Sequence, residues 1–572
     1  MPLQSLRFLL PALLLVIALL TATPRFRAQQ TTDEPIVARV TIQKDHDLHR
    51  FVSLGLDLLE MREGDDLFIL TNQWEIERLR SEGWQIAADE AQTQQIVRSA
   101  ALASQTFQGG YRTVAEMRAQ LEAGARLNPN IAEFFVYGQS WEKVNTAGTG
   151  GHDLFGIKLT NRSNSGSKPA FFLMAAIHAR ELATAEVAMR FADHLLNNYG
   201  ADADVTWLLD EHQIIIVPVV NPDGRILAEQ GYLQRKNANN TYGGMCATPP
   251  ASGSQFGVDL NRNYAFRWGL VNRPTDNPCS LTYPGPVEAS EPETKAIQDL
   301  VRSLFPDQRG PNDADAAPRD ATGVMLTLHS FGDLVLWPWG VTQAKAPNAT
   351  ELELIGRRLA AYNGYTPQQA IQLYPTSGTT DDWSYGELGL ASFTFEIGPA
   401  GGPCGGFFAS YSCLDGGTGG SFWQRNLPAL LYAARIARSP YLLVQGPTPE
   451  SLIATPTGDG RVELRASFDE SRNGNQKIVA AEVYIETPPW SGGAAIQMNA
   501  SDGSFDGPNE TATLVLNANS TRSLFYVRAK DAEGDWGPVR AAYASRQIAG
   551  EKPRARINRP TTRRASFNNS PI

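Results

Sequence analysis

The chain has 572 residues, 42% hydrophobic and 19% charged, with a formal net charge of −10. That length exceeds what a single core serves and implies two to four domains of ordinary globular composition. The acidic balance argues against nucleic-acid binding, which needs a basic face. Residues 1–28 read as a secretory signal peptide: Arg7 gives the basic start, Phe8 to Ala22 a short apolar core, and Thr21-Ala22-Thr23 and Ala28 small residues for cleavage. An uncleaved anchor is the alternative. The run is short for a spanning helix and no later one is longer, so no stable membrane insertion is expected.

Residues 29–108 are expected to form a small α/β domain. Ile36 to Ile42 alternates as a strand does, Leu67 to Thr71 forms a second strand, and Glu75 to Glu82 forms a short helix stopped by Gly83. Ala91 to Gln108 is polar and small, as linkers are. In residues 109–440, apolar strands (Ala170–Ile177, Gln213–Val220, Gly323–Leu328, Ala391–Ile397) alternate with helical periodicity (Thr113–Leu127, Leu182–Asn198, Glu291–Phe305, Pro347–Tyr362, Asn426–Arg438). Pro347 suits a first helical position. The alternation predicts an α/β sheet with helices on both faces, interrupted by a Pro/Asp/Gly-rich insertion at Asp307 to Thr322. Short alternating strands in residues 447–546 predict an all-β sandwich. Residues 547–572, with six Lys and Arg against Glu551, read as a disordered basic tail.

Four cysteines fit an exported protein. Four allow three pairings; Cys246–Cys279 and Cys404–Cys413 are favoured because each closes a local loop. Free or metal-binding thiols are the alternative, without a CxxC spacing to support them.

Ligands of such sheets gather at the carboxyl ends of the strands, where His178, His329 and Glu396 all fall. His178-Ala179-Arg180-Glu181 follows an apolar strand and precedes a helix, so an imidazole and a carboxylate can face one point. With His329, they make the three protein ligands of a catalytic zinc. Glu396, emerging from Ser392 to Phe395, is placed to act as a base. Asn261 and Arg262 can hold a carboxylate by forked hydrogen bonds, and Arg235 can stabilise an oxyanion. Taken singly, each of these residues is more often structural. His46, His49, His152, His194 and His212 have no convergent partners.

Together the motifs resemble the zinc carboxypeptidases of the pancreatic A/B type, including the bacterial carboxypeptidase T group. The matching segments are His178-Ala179-Arg180-Glu181, Asn221-Pro222-Asp223-Gly224, Gly257 to Asn263, Tyr283-Pro284-Gly285-Pro286, Ser290 to Glu293, Leu328-His329-Ser330-Phe331, and Thr380 to Trp383 leading to Phe393 to Glu396, in family order over about 220 residues. The resemblance implies a mixed eight-stranded sheet with one zinc per chain on His178, Glu181 and His329. It implies Glu396 as general base and acid and Arg235 as the carbonyl polariser. Asn261, Arg262 and Tyr374 would hold the terminal carboxylate of a peptide with a free C-terminus, with Arg180 and Ser330 in outer subsites. Phe331 replaces a tyrosine of many relatives. Asp381 stands where the basic-specific enzymes carry Asp at the pocket floor, implying preference for C-terminal Arg or Lys; capping a turn beside Asp382, or mixed specificity, are the other readings. The N-terminal domain would be a pro-segment, cut near Arg98 or Arg112, or a permanent accessory. Calcium, frequent in secreted bacterial relatives, stays open because no EF-hand-type loop is present. A cell-wall peptidase or deacylase on this fold, and a non-catalytic binding protein, are the competing functions.

Overall fold

The computed structural model describes residues 34–101, 107, 110–457, 460–517 and 522–545. The expected signal peptide at 1–28 and the expected disordered basic tail at 547–572 lie outside the described residues. None of the described helices is long and apolar enough to cross a membrane.

The first sheet contains β1 (Ile36–Thr41), β2 (Asp57–Glu63), β3 (Asp66–Thr71) and β4 (Gln85–Ala88), in the order β2-β3-β1-β4, with helices α1 (Asp45–Val52), α2 (Gln73–Ser81) and α3 (Glu90–Ala101). Helix α3 corrects the reading of Ala91 onward as linker. Its polar surface hid a helix that keeps Ile96 buried. One set of this region's apolar residues, including Val40, Phe51 and Ile69, shares a core with Val271, Leu336, Leu373 and Tyr374 of the middle region, whereas Val37, Leu59, Phe68 and Ile96 join the main core of that region.

The middle region is built on β5 (Ala132–Gln139), β6 (Asp153–Leu159), β7 (Ala170–Ala175), β8 (Gln213–Val217), β9 (Val324–His329), β10 (Leu334–Trp337), β11 (Thr366–Gln369) and β12 (Ala391–Glu396). They form a mixed eight-stranded sheet in the order β11-β10-β12-β9-β7-β8-β6-β5. The expected α/β sheet is therefore present. Its helices are α4 (Val114–Leu127), α5 (Leu182–Asn198), α6 (Ala203–Glu211), α7 (Pro222–Glu229), α8 (Pro292–Leu304), α9 (Ala349–Asn363), α10 (Thr380–Leu388) and α11 (Phe422–Ile436). Both faces of the sheet are buried, and β7 shows why its sequence is continuously apolar. Phe171 and Leu173 join a core with α5, α9 and α11, whereas Phe172 and Met174 join another with α8 and α10. Strands β7 and β8 stop at Ala175 and Val217, short of the expected Ile177 and Val220, and two helix starts also move. Pro347 stands before α9, which begins at Ala349 after Asn348. Helix α11 begins at Phe422 and runs through Pro428.

The last region comprises β13 (Thr448–Pro456), β14 (Arg461–Asp469), β15 (Ile478–Ile485), β16 (Ile496–Gln497), β17 (Asn499–Ala500), β18 (Asn509–Asn517), β19 (Arg522–Asp531) and β20 (Arg540–Ser545). Two four-stranded sheets, β13-β14-β18-β17 and β16-β15-β19-β20, enclose a separate apolar core. Polar anchors fix this sandwich to the middle region. Buried Arg358 of α9 donates to Asp469 Oδ2 at 2.8 Å, Asn473 Oδ1 at 3.0 Å and Glu450 Oε1 at 3.0 Å. Asp204 of α6 accepts from Arg435 at 2.7 Å and from the Ala541 N–H at 2.9 Å. The favoured disulfides, Cys246–Cys279 and Cys404–Cys413, are both formed.

Candidate functional site

Strands β7, β9 and β12 run parallel, so their carboxyl ends open on one side of the sheet. After β7 the chain turns sharply through Ala176, whose φ of 49° is left-handed. The turn is braced by Thr184, whose hydroxyl accepts from Ala176 N–H at 3.2 Å and donates to Glu181 O at 2.7 Å. It delivers His178 and Glu181 at the start of α5. His329 is the last residue of β9 and pairs in register with Glu396, the last of β12.

His178, Glu181 and His329 converge and are all buried. His178 Nδ1 is 2.7 Å from Glu181 Oε1 and 3.2 Å from His329 Nδ1, and His329 Nδ1 is 3.2 Å from Glu181 Oε2. Two imidazoles and a carboxylate form a zinc donor set. Tetrahedral bonds of about 2.1 Å would hold such atoms about 3.4 Å apart, and the donor atoms stand at comparable separations, with Glu181 offering one carboxylate oxygen to each imidazole. The residues therefore fit the ion. Burial pushes the Glu181 carboxyl up, but the charges of the two imidazoles outweigh it and hold the group below its ordinary value. His178 Nε2 lies 3.1 Å from Asp259 Oδ1, an outer partner that fixes the ring's orientation.

Asp259 also organises the cationic wall. Its Oδ2 accepts from Arg235 Nε at 3.1 Å, and its Oδ1 accepts from the Asn261 N–H at 2.9 Å. Asn261 Oδ1 accepts from the Thr380 N–H at 3.0 Å, and Arg262 Nη1 donates to Asn261 O at 2.8 Å. Arg235, Arg262, Tyr374, Asp381 and Glu396 line one cavity of about 40 Å³ together with His178 and His329. Asp381 faces it while accepting from the Asp382 N–H at 3.0 Å, so the pocket and turn readings describe the same carboxylate. Burial pushes the Glu396 carboxyl well above its ordinary value, and the charges of Glu60 and Glu181 add to that. Ser330 is buried with an unpartnered hydroxyl among the described residues. Phe331 packs edge-on against Phe407, over which Arg180 lies at 3.9 Å.

Two acidic residues absent from the sequence reading complete the site. Arg180 forks onto Asp57, Nη1 to Oδ2 and Nη2 to Oδ1 both at 2.6 Å, with both residues buried. Glu60 Oε1 lies 3.6 Å from Arg235 Nη1 and 3.5 Å from the Tyr374 hydroxyl. Both acids come from β2. There, two extra residues between Leu58 and Arg62, relative to β3, break the ladder and re-aim the side chains. Close approach of β2 needs Gly332, where a Cβ would stand 2.5 Å from Glu60 O. Burial pushes Glu60 up to about 7, against the charge of Arg235. The only signal in the sequence is the run Asp57-Leu58-Leu59-Glu60, whose acids interrupt an otherwise apolar segment.

A profile of the zinc carboxypeptidase family (Peptidase_M14) matches residues 117–415. Carboxypeptidase A2 of Mus musculus is 29% identical over 299 residues, covering 50% of this chain and 63% of that protein. Carboxypeptidase A1 of Homo sapiens is 30% identical over 320 residues, covering 54% and 68%. Carboxypeptidase B of Bos taurus is 30% identical over 239 residues, covering 40% and 52%. The chain thus spans between about half and two thirds of the length of these relatives. The fold is shared with the carboxypeptidase A of Helicoverpa armigera, at a TM-score of 0.56 and 23% identity over 70% of this chain and 98% of that one.

Proposed function

Because the chain belongs to the zinc carboxypeptidase family, we propose that it is an exported metallocarboxypeptidase, made as a precursor, that removes C-terminal residues from peptides and proteins. The observation that carries this reading is one cavity lined by His178 and His329 of the triangle together with Glu396, Arg235 and Arg262, with Glu181 converging on the same two imidazoles. Zinc held there would polarise the scissile carbonyl and activate water. Asn261 and Arg262 hold the substrate's terminal carboxylate, and Tyr374 closes over it. Arg235 donates to the scissile carbonyl oxygen as negative charge develops on it. Glu396 takes a proton from the attacking water and delivers it to the leaving amine nitrogen. An internal peptide bond offers the clamp no carboxylate, so cleavage is restricted to the end of the chain. Asp381 would favour C-terminal Arg or Lys by charge pairing, with mixed specificity as the weaker form of the same reading.

The precursor reading rests on β2. Asp57 occupies Arg180, and Glu60 lies against Arg235 and Tyr374, so the strand stands where a peptide would lie. Residues 29–108 would then be a pro-segment and residues 109–440 the catalytic domain. Of the two candidate cut points, Arg112 is held by Glu186 and Asp193, whereas Arg98 lies in α3, which must open first. Export is inferred from residues 1–28 together with the two disulfides, which persist in oxidising compartments.

The test is release of the last residue from peptides ending in Arg, Lys, Leu, Phe or Glu, using trypsin-cut protein with and without a zinc chelator. Chelator-sensitive release led by Arg and Lys is expected. Release led by Leu or Phe would discard the basic pocket alone. No release from zinc-loaded protein would refute the peptidase reading.

A further inference from the structure

We propose that the β-sandwich binds a calcium ion through Glu470 Oε1, Asp531 Oδ2 and Gln476 Oε1, where two adjoining loops meet. Each of these oxygens is buried and lacks a hydrogen-bond partner among the described residues. The loops run from Glu470 to Lys477 and from Asp531 to Asp535. They are joined by the Ala532 N–H donating to Lys477 O at 2.9 Å and by the pairing of Ile478 with Asp531.

Both carboxylates are fully interior, at 0% exposure for Glu470 and 1% for Asp531. In each, one oxygen is satisfied and the other is not. Glu470 Oε2 accepts from Asn473 Nδ2 at 2.9 Å. Asp531 Oδ1 accepts the backbone N–H groups of Glu533, Gly534 and Asp535 at 3.0, 2.8 and 2.8 Å. Gln476 contributes an amide oxygen folded back over Gly474, where a Cβ would stand 2.1 Å from it. Two interior carboxylates need a positive partner. Arg358, whose charge is felt at Glu470, gives its donors to Asp469, Asn473 and Glu450 instead. Burial and the charge of Asp531 push Glu470 up to about 9, so both disfavour a second bare charge there.

A cation or a shared proton resolves that conflict. The donors are all oxygens, two carboxylates and an amide on loops, which is calcium chemistry rather than zinc or copper chemistry. The ion would also brace the seam between domains, because Asn473 bonds both Glu470 and Arg358.

The experiment uses the full chain, stripped of metal, reloaded with zinc and dialysed against radiolabelled calcium. Free calcium is raised to about 10 mM, above the roughly 10⁻⁴–10⁻³ M range of extracellular calcium modules. Expected is about one calcium per chain, a higher melting midpoint with calcium, and about ten-fold weaker binding in both Glu470→Gln and Gln476→Ala. Gln476 is partly exposed, so Gln476→Ala carries the test if Glu470→Gln fails to fold. Calcium retained equally by both variants would place it elsewhere and overturn the proposal. No calcium on the wild type would also overturn the proposal, and Glu470→Gln melting at least as high would then assign the pair a shared proton.

Discussion

Replacing Asp57 by alanine should switch on the uncut chain. In the closed form the guanidinium of Arg180 forks onto Asp57 through two contacts of 2.6 Å, away from water. Removing one side of a buried ion pair typically costs about 3–5 kcal/mol, because the other charge is left unpaired. That cost falls on the closed form alone, since Arg180 is hydrated once β2 leaves. The open population should therefore rise roughly 150- to 5,000-fold. The assay compares initial rates of C-terminal residue release by uncut and trypsin-cut protein, for wild type and for Asp57→Ala. In the wild type the uncut rate should be a small fraction of the cut rate; in the variant the two should approach each other. Glu60→Gln should act in the same direction but less, given its longer contacts of 3.6 and 3.5 Å. An uncut wild type as fast as the cut enzyme would refute the reasoning. So would a folded Asp57→Ala whose rate ratio is unchanged.

Glu396→Gln in cut protein should keep about one zinc, read by metal analysis, and lose roughly 10²–10⁴-fold in kcat, the usual contribution of a general base; a fully active variant would remove the proposed proton carrier. Asp381→Ala should lower kcat/KM for C-terminal Arg about ten-fold or more while changing Leu little, and equal losses would return Asp381 to a turn-capping role. Glu293 gives a pH test. Burial and the charge of Glu291 push it up to about 8, so the folded form holds that proton more tightly than the unfolded chain. Its contribution to stability is then full below about pH 4.5 and lost as pH rises through about 8, on the order of 5 kcal/mol. Denaturant melts of Glu293→Gln should lose that part of the pH slope; parallel slopes in both proteins would contradict the assignment.

The sheet and the convergence of His178, Glu181 and His329 were legible because their signals are local. An apolar run such as Phe171 to Ala175, followed by His178, Glu181 and helical periodicity, places both side chains at one strand end without tertiary knowledge. The role of β2 was not legible. Asp57 and Glu60 would read as solvent-facing positions of a strand, and what aims them inward is a ladder irregularity set by β3 and by the opposing Gly332 loop. Asp259 stood inside a recognised motif yet carried no assigned role, because its contacts to His178, Arg235 and Asn261 are spread over 81 positions of sequence separation at the widest. Helix α3 was missed for the opposite reason: with few large apolar residues it carries little periodicity, although its first turn starts at Glu90 and it keeps Ile96 inside.

The pairing of Glu396 with His329 across β12 and β9 has an evolutionary corollary. The spacing between the proposed base and the proposed metal ligand is metered by a backbone ladder, so it is set by register and not by any one side chain in the rest of either strand. Volume-conserving apolar exchanges along Val324 to Leu328 or Ala391 to Phe395 can drift while the ruler keeps its marks. A one-residue insertion or deletion in either strand would invert the facing of its last residue. Such strands should therefore tolerate change of composition and resist change of length, the reverse of what is expected for the surface insertion between Asp307 and Thr322.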